Sequence, residues 1–469
     1  MKKLTFLTLF TLFTCFVFAQ SFMDKMEKEI DAIFEEWNST ETPGGVVGIV
    51  QDGEIIFSKA YGMASLEYDV VNTTETIFNI ASVSKQFTAF TMVLLEQQGK
   101  LSIDDDVRKY IPELPDFGTT ITIRHLLTHT SGLRNFQSML SLAGWRSGDN
   151  MTNEDLLRYI SRQKDLNFPV GSEYLYCNTG FNLTTAIVER VTGQSYQDWT
   201  KENIFDPLGM DDTNYREDLT KIYKKTATSY SVSDGNFIQP LKYWTYMGNG
   251  NVYTTVEDLA KWMGNFADGT VGGAAATNRL LERGILTSGD TITYALGIRN
   301  TSYRGIKLYT HGGSVGGYRS NFLYYPEQKA GVVVIANFSR ANPGPKSVAV
   351  ADLYLEDHFT ESKPERSSGG GRNPLRKPIE MSTQSLQIYT GKYYSPEVDA
   401  YYEFVIEEDK LVAKHNRHND FTLTPYSKDD LRASASFFRE VKAKWEGSKV
   451  TGIHVSNGRV RNLWFEKVE

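Results

Sequence analysis

Three short groups of residues hold the chemistry that this chain could perform. Ser82 and Lys85, in "ASVSKQFTA", stand three positions apart, one helical turn, so the lysine amine can reach the serine hydroxyl and accept its proton. A lysine taken out of water loses basicity and can shuttle protons near neutral pH. A serine at a helix start also meets free backbone N–H groups and the positive end of the macrodipole, both of which favour a developing oxyanion. Tyr176 and Asn178, in "YLYCNTGFNL", form the only Tyr-x-Asn of the chain. A phenol beside a lysine can pass a proton to a leaving group, and an amide can orient lysine and substrate together. The third group is "YTHGGSVGGYRSNFLYYP", which contains His311, Gly312, Gly313 and a second serine, Ser314.

Each group has a plain alternative. Ser-x-x-Lys recurs at Ser161 and Lys164 in "YISRQKDLNF", where polar neighbours and the lack of a following apolar helix read as a solvated helix end. Ser82 could likewise be an ordinary N-cap with a surface lysine behind it, and Asn178 a cap beside a loop tyrosine. Ser314 raises a competing mechanism, because Gly312, Ser314 and Gly316 match the G-x-S-x-G elbow of α/β-hydrolases. An elbow needs a helix straight after its serine, whereas "GYRSNFLYYP" reads as a strand leading to another strand, "GVVVIANF". That context predicts a glycine-rich strand that contributes backbone N–H groups, with the Ser314 hydroxyl incidental.

Metals and nucleic acids are poorly supported. The seven histidines include His125 and His129 at helical spacing, but none falls in H-E-x-x-H or a zinc-spaced Cys/His cluster. A net charge of −7 with both signs interspersed offers no basic stripe for a phosphate backbone.

The ordered set "ASVSKQFTA", "ITIRHLLTHTSGL", "YLYCNTGFNL", "IFDPLGMDDT", "YTTVEDLAKW" and "HGGSVGG" resembles the class C β-lactamase-like serine hydrolases, relatives of penicillin-binding DD-peptidases and esterases. The resemblance covers roughly residues 25–358. It implies Ser82 as acylated nucleophile, Lys85 as its proton-transfer partner, Tyr176 as second acid/base and Asn178 as a positioning amide. His311-Gly312-Gly313 takes the place of the Lys-Thr-Gly or His-x-Gly element, with His311 and Gly313 positioning substrate, and the backbone N–H groups of Ser82 and Ser314 become the oxyanion hole. No cofactor is implied. The expected partner is a small-molecule or peptide substrate, cell-wall fragments included: an ester, amide, D-amino-acid peptide or β-lactam. A non-catalytic peptidoglycan or lactam receptor is the competing reading. With His311 where relatives have lysine, the pull on a substrate carboxylate should be weak and pH-dependent, and Arg319 is a candidate substitute.

The elements that must position these residues are legible in the hydrophobic pattern. Residues 1–19 carry Lys2 and Lys3, an apolar run and a small-residue end at Ala19, the form of a secretory signal peptide, so the protein is expected to be exported to the periplasm or outside the cell, with no transmembrane segment in the mature chain. Cys15 lies in poor context for lipidation, and only Cys177 survives cleavage, so no internal disulfide can form. "SFMDKMEKEIDAIFEEW" reads as an amphipathic helix and "GGVVGIVQDGEIIFSKAYG" as a hairpin. Helical patterns dominate from about 82 to 265, and strands return near 305–338. The fold class is therefore α+β over 20–360: one antiparallel sheet built from distant segments, flanked by helices, with a helical subdomain beside it. A Ser/Gly/Pro-rich flexible linker is expected over 361–380. Short aromatic and β-branched runs over 381–469 predict a small all-β barrel or sandwich, loosely similar to lipocalin-like domains. Such a linker implies separable parts, so a chain ending near Ser362 is expected to fold and keep activity on small esters.

Overall fold

The computed structural model describes residues 25–364 and 377–469. The leader over 1–19 and most of the linker over 361–380 lie outside the described residues. Among the described residues no helix is long and apolar enough to cross a membrane.

The runs read as strands form one antiparallel sheet. In chain order its strands are β1 (Gly45–Gln51), β2 (Glu54–Tyr61), β3 (Arg299–Tyr303), β4 (Ile306–Val315), β5 (Tyr318–Tyr325) and β6 (Ala330–Ala336), and in space they run β3-β4-β5-β6-β1-β2. The N-terminal hairpin thus closes on the C-terminal strands, with Val47 opposite Val334. Both β1 and β6 are buried almost end to end, because helices cover both faces of the sheet. The period-2 alternation of a strand sorts their side chains: Val47, Ile49, Val332 and Val334 join one apolar layer, Val46, Val50, Val333 and Ile335 the other.

The helices that matter for the site are α1 (residues 25–33), α2 (Lys85–Gln97), α3 (Asn178–Thr192), α4 (Val256–Asp268) and α5 (Pro343–Tyr354). Met26 and Ile30 of α1 and Val350 of α5 pack on the first layer. Phe87 and Phe90 of α2 meet Trp262 of α4 on the second. Helix α2 is buried from Lys85 to Leu95, as expected for a helix wedged between the sheet and the helical subdomain.

The C-terminal segment is a closed eight-stranded antiparallel barrel, from Gly391–Ser395 to Leu463–Lys467. Its interior is filled by rings: Tyr402 packs on Phe438 at 4.5 Å and Tyr393 on Phe404 at 4.6 Å. A barrel of this size has just enough interior for its own side chains.

The separability expected from the linker gives way to a tightly docked arrangement. The Tyr402 hydroxyl donates to Leu142 O at 2.9 Å, and His418 Nε2 bonds Ser141 O at 2.7 Å. Arg134 of the helical subdomain and Glu397 of the barrel, 1% and 3% exposed, form an ion pair. One apolar cluster runs without a break from the catalytic helices into the barrel. Removing one partner of a buried pair leaves a charge without compensation. Glu397→Ala is therefore expected to destabilise the whole protein by about 3–5 kcal/mol, read from the denaturant midpoint. A chain ending near Ser362 is expected to be poorly soluble, measured by its recovery in the soluble fraction beside the full chain.

Candidate active site

Ser82 sits in a single 3-10 turn, Ala81–Ser84, that runs directly into α2. The turn is tied down from several sides. Ala81 N donates to Asn79 Oδ1 at 2.8 Å and Ile80 N to Val252 O at 3.0 Å. Ser320 Oγ, on β5, donates to Ile80 O at 2.7 Å. Ala81 itself holds φ at 49°, a left-handed conformation that costs energy for a residue with a Cβ and is retained where the surroundings over-determine it. Strand β4 lies flush on this turn at Gly313, where a Cβ would come within 2.2 Å of both Ile80 O and Ser320 Oγ. Glycine is thus a packing requirement at 313, not only a flexible turn residue.

Lys85 is completely buried. Its Nζ lies 3.2 Å from Ser82 Oγ and donates to Asn249 O at 2.6 Å. Burial, helped by the Arg459 guanidinium and opposed by the Cys177 thiol, holds the amine well below the ordinary lysine range. Tyr176 lies alongside, with Lys85 Nζ 4.8 Å from its ring centre. Burial pushes the Tyr176 phenol up, against opposing influences from Ser82 and Arg459; its hydroxyl is closed off from solvent without a hydrogen bond of good geometry. Asn178 opens α3. Its N–H donates to Asn135 Oδ1 at 2.9 Å and its Nδ2 to Gln137 Oε1 at 3.2 Å, while among the described residues its Oδ1 has no hydrogen-bond partner.

Ser82, Asn178, Asn249 and Ser314 line one cavity of about 590 Å³, with Lys85 and Tyr176 behind its wall. The arrangement supplies a serine hydroxyl, an amine whose basicity is lowered by burial, a phenol made less acidic by burial and a strand edge with exposed Ser314, groups that together can move a proton from a nucleophile to a leaving group. The second Ser-x-x-Lys is different: Ser161 closes the helix Asn153–Ile160, and both it and Lys164 are exposed.

His311 departs from the expected part. The cavity takes Ser314, Val315 and Gly316 from the end of β4 and the turn after it, whereas the His311 ring turns inward, Nδ1 to Gly312 O at 2.7 Å and Nε2 to the Tyr294 hydroxyl at 2.9 Å. A carbonyl can only accept, so Nδ1 carries the proton and Nε2 accepts from Tyr294. Burial, with Lys85 nearby, lowers its pKa to about 3, so it is neutral near neutral pH and offers no titrating pull on a carboxylate. Arg319 is also engaged, its Nη1 on Gly316 O and Tyr318 O at 3.0 and 2.7 Å.

Sequence reasoning gave no role to several groups here. The His129 ring packs against that of Tyr176 with centres 4.2 Å apart and a 42° tilt, and it accepts from Cys177 N through Nδ1; it sits in "THTSGL", but only the fold brings it to Tyr176. His125 forms a capping box with Thr122. Asn249 holds Lys85 through its main-chain carbonyl, which no side-chain pattern encodes. Arg459 comes from the barrel: its guanidinium lies 5.1 Å from the Tyr176 ring centre and lines the cavity.

This constellation on this fold agrees with the comparison to known proteins. Residues 23–355 match the Beta-lactamase family. The chain belongs to that family. A D-aminopeptidase of Cereibacter sphaeroides is 28% identical over 379 residues, 79% of this chain and 71% of the relative. The octameric penicillin-binding protein homologue from Pyrococcus abyssi superposes with a TM-score of 0.64 at 23% identity, over 94% of this chain and 99% of the other, so it shares the fold through both domains. A penicillin binding protein from Bacillus halodurans has a TM-score of 0.60 at 27% identity, over 70% and 99% of the two chains. This member of the Beta-lactamase family is a hydrolase.

The buried histidine has a consequence for stability. His311 titrates near 3 when folded and near 6.5 when unfolded, so between these values the unfolded chain binds more protons and acid favours unfolding. Stability should fall as pH drops from about 6.5 towards 3, by about 2–3 kcal/mol from this residue between pH 7.5 and 4.5. Denaturant midpoints at the two pH values check it, and His311→Gln should shrink the difference.

Proposed function

We propose that this hydrolase works through a Ser82 acyl-enzyme on amide or peptide bonds of D-amino acids and on related esters. The observation that carries the reading is the 3.2 Å approach of Lys85 Nζ to Ser82 Oγ inside a site where the lysine is fully buried. One Lys85 N–H is committed to Asn249 O, which leaves the lone pair of the neutral amine free for the Ser82 proton. Ser82 Oγ attacks the carbonyl carbon, and the tetrahedral oxyanion is held by the Ser82 and Ser314 N–H groups. Aimed donors of this kind stabilise such an intermediate by about 3 kcal/mol each. Tyr176, a phenol too weakly acidic to ionise, passes a proton to the leaving nitrogen while Lys85 returns it, and water then attacks the acyl carbonyl by the reverse proton path. Asn178 orients the substrate amide from the cavity wall.

The D-amino-acid substrate class is supported by the D-aminopeptidase relatives, and cell-wall peptides fit the same chemistry. The leader pattern of residues 1–19 supports an exported setting, periplasmic or extracellular.

Incubation with an activated ester should add one acyl mass on Ser82, and D-alanine amide should be turned over. Ser82→Ala should abolish both, and turnover that survives it would refute the mechanism. Stable labelling without turnover would instead mark a receptor. Lys85→Ala should lower the acylation rate at least about 100-fold, followed by stopped-flow kinetics.

A further inference from the structure

The cavity is positively charged although the chain as a whole carries −7. Four cations, Arg216, Lys221, Lys242 and Arg459, line it against one acid, Asp218. Arg216 is 7% exposed. Its guanidinium is clasped between the Tyr253 and Tyr223 rings at 3.8 and 4.1 Å, and it bonds only neutral groups, Asn214 Oδ1 at 3.1 Å and Thr226 Oγ1 at 2.9 Å. Among the described residues its Nη2 has no hydrogen-bond partner. A buried cation whose hydrogen bonds go to neutral groups is costly, and its charge adds to that of the other cations lining the cavity.

Arg459 is the cation placed nearest the chemistry. Its loop is fixed to the catalytic half: Arg459 O accepts from Asn135 N at 3.2 Å and from Asn167 Nδ2 at 3.1 Å, and Arg461 N donates to Asn167 Oδ1 at 2.8 Å. The side chain is exposed and lies against Tyr176, and among the described residues no carboxylate pairs with it. The two groups nearest to it in role are already committed, His311 to Tyr294 and Arg319 to main-chain carbonyls.

We propose that Arg459, delivered by the barrel, is a specificity-determining residue that selects substrates with an anionic group on the leaving portion and disfavours cationic ones. The inference rests on the proposed function in one respect, the assignment of Tyr176 to the leaving group. A guanidinium beside that tyrosine meets whatever charge the departing amine carries. A carboxylate one or two bonds from the leaving nitrogen can accept a charge-assisted bond there, while an ammonium would meet four cations.

Three N-acetyl-D-alanyl amides that differ only in the leaving group test it: glycine, glycinamide and ethylenediamine, which are anionic, neutral and cationic. The full-length protein should show kcat/KM in that order, with at least about tenfold between the ends. Arg459→Gln should compress the spread to about threefold or less, Arg459→Lys should keep the order, and added salt should narrow it. A wild-type preference for the cationic or neutral leaving group overturns the proposal, as does an unchanged spread in Arg459→Gln. Calorimetric binding of the same three compounds to Ser82→Ala protein, with and without Arg459→Gln, reads the charge preference without turnover. Failure of the Ser82 mechanism and failure of the Arg459 role are therefore separately visible.

Discussion

A fully buried lysine held against a serine is the constraint on which the other features of this protein converge. Lys85 is fully buried, a setting that disfavours the ammonium form, and among the described residues no carboxylate pairs with it. The amine instead finds a carbonyl, Asn249 O, and the aromatic faces of Tyr176 and Phe181. Those partners come from two separate stretches of chain, and Ser82 and Lys85 from a third. The helical subdomain, the sheet and the barrel loop must all be in register for that pocket to close, which explains why so much of the hydrogen bonding around Ile80–Ser84 is long-range.

Much of this was legible in the sequence, for identifiable reasons. The sheet could be read because β1 and β6 are continuous apolar runs and the Gln51-Asp52-Gly53 turn marks a hairpin. Ser82 could be told from Ser161 because only the first is followed by an apolar helix, and the structure makes the same distinction by burial. What stayed hidden depends on tertiary contacts. A main-chain carbonyl such as Asn249 O has no sequence signature, and His129 becomes a neighbour of Tyr176 only once α3 is docked. His311 was legible as part of the site's strand but not as a neutral, inward-turned ring, since that state is set by Tyr294 on the segment before β3 and by burial together.

The barrel is the part where a composition-based reading misleads most. A linker rich in Ser, Gly and Pro reads as a tether, yet the body beyond it packs on the catalytic half through an apolar surface and a buried Arg134–Glu397 pair. Such a pair contributes little net stability compared with apolar packing, but it penalises any other docking pose that would leave either charge alone. That penalty fixes where the 457–461 loop meets the cavity. The family match ends at residue 355, before the barrel begins, so Arg459, which lines the cavity, lies outside the segment that defines the family.

The two halves are also coupled through charge. After burial, Arg459 also contributes to holding Lys85 below its ordinary range, which favours the neutral amine but also makes it a weaker base. An anion seated on Arg459 cancels part of that field. The amine then gains proton affinity at the moment when a carbonyl is positioned over Ser82, and a stronger neutral base is the better acceptor for the serine proton. A cationic substrate has the reverse effect and depresses the base further. The same guanidinium thus acts on affinity through direct contact and on basicity through its field, and both effects favour the same charge on the substrate.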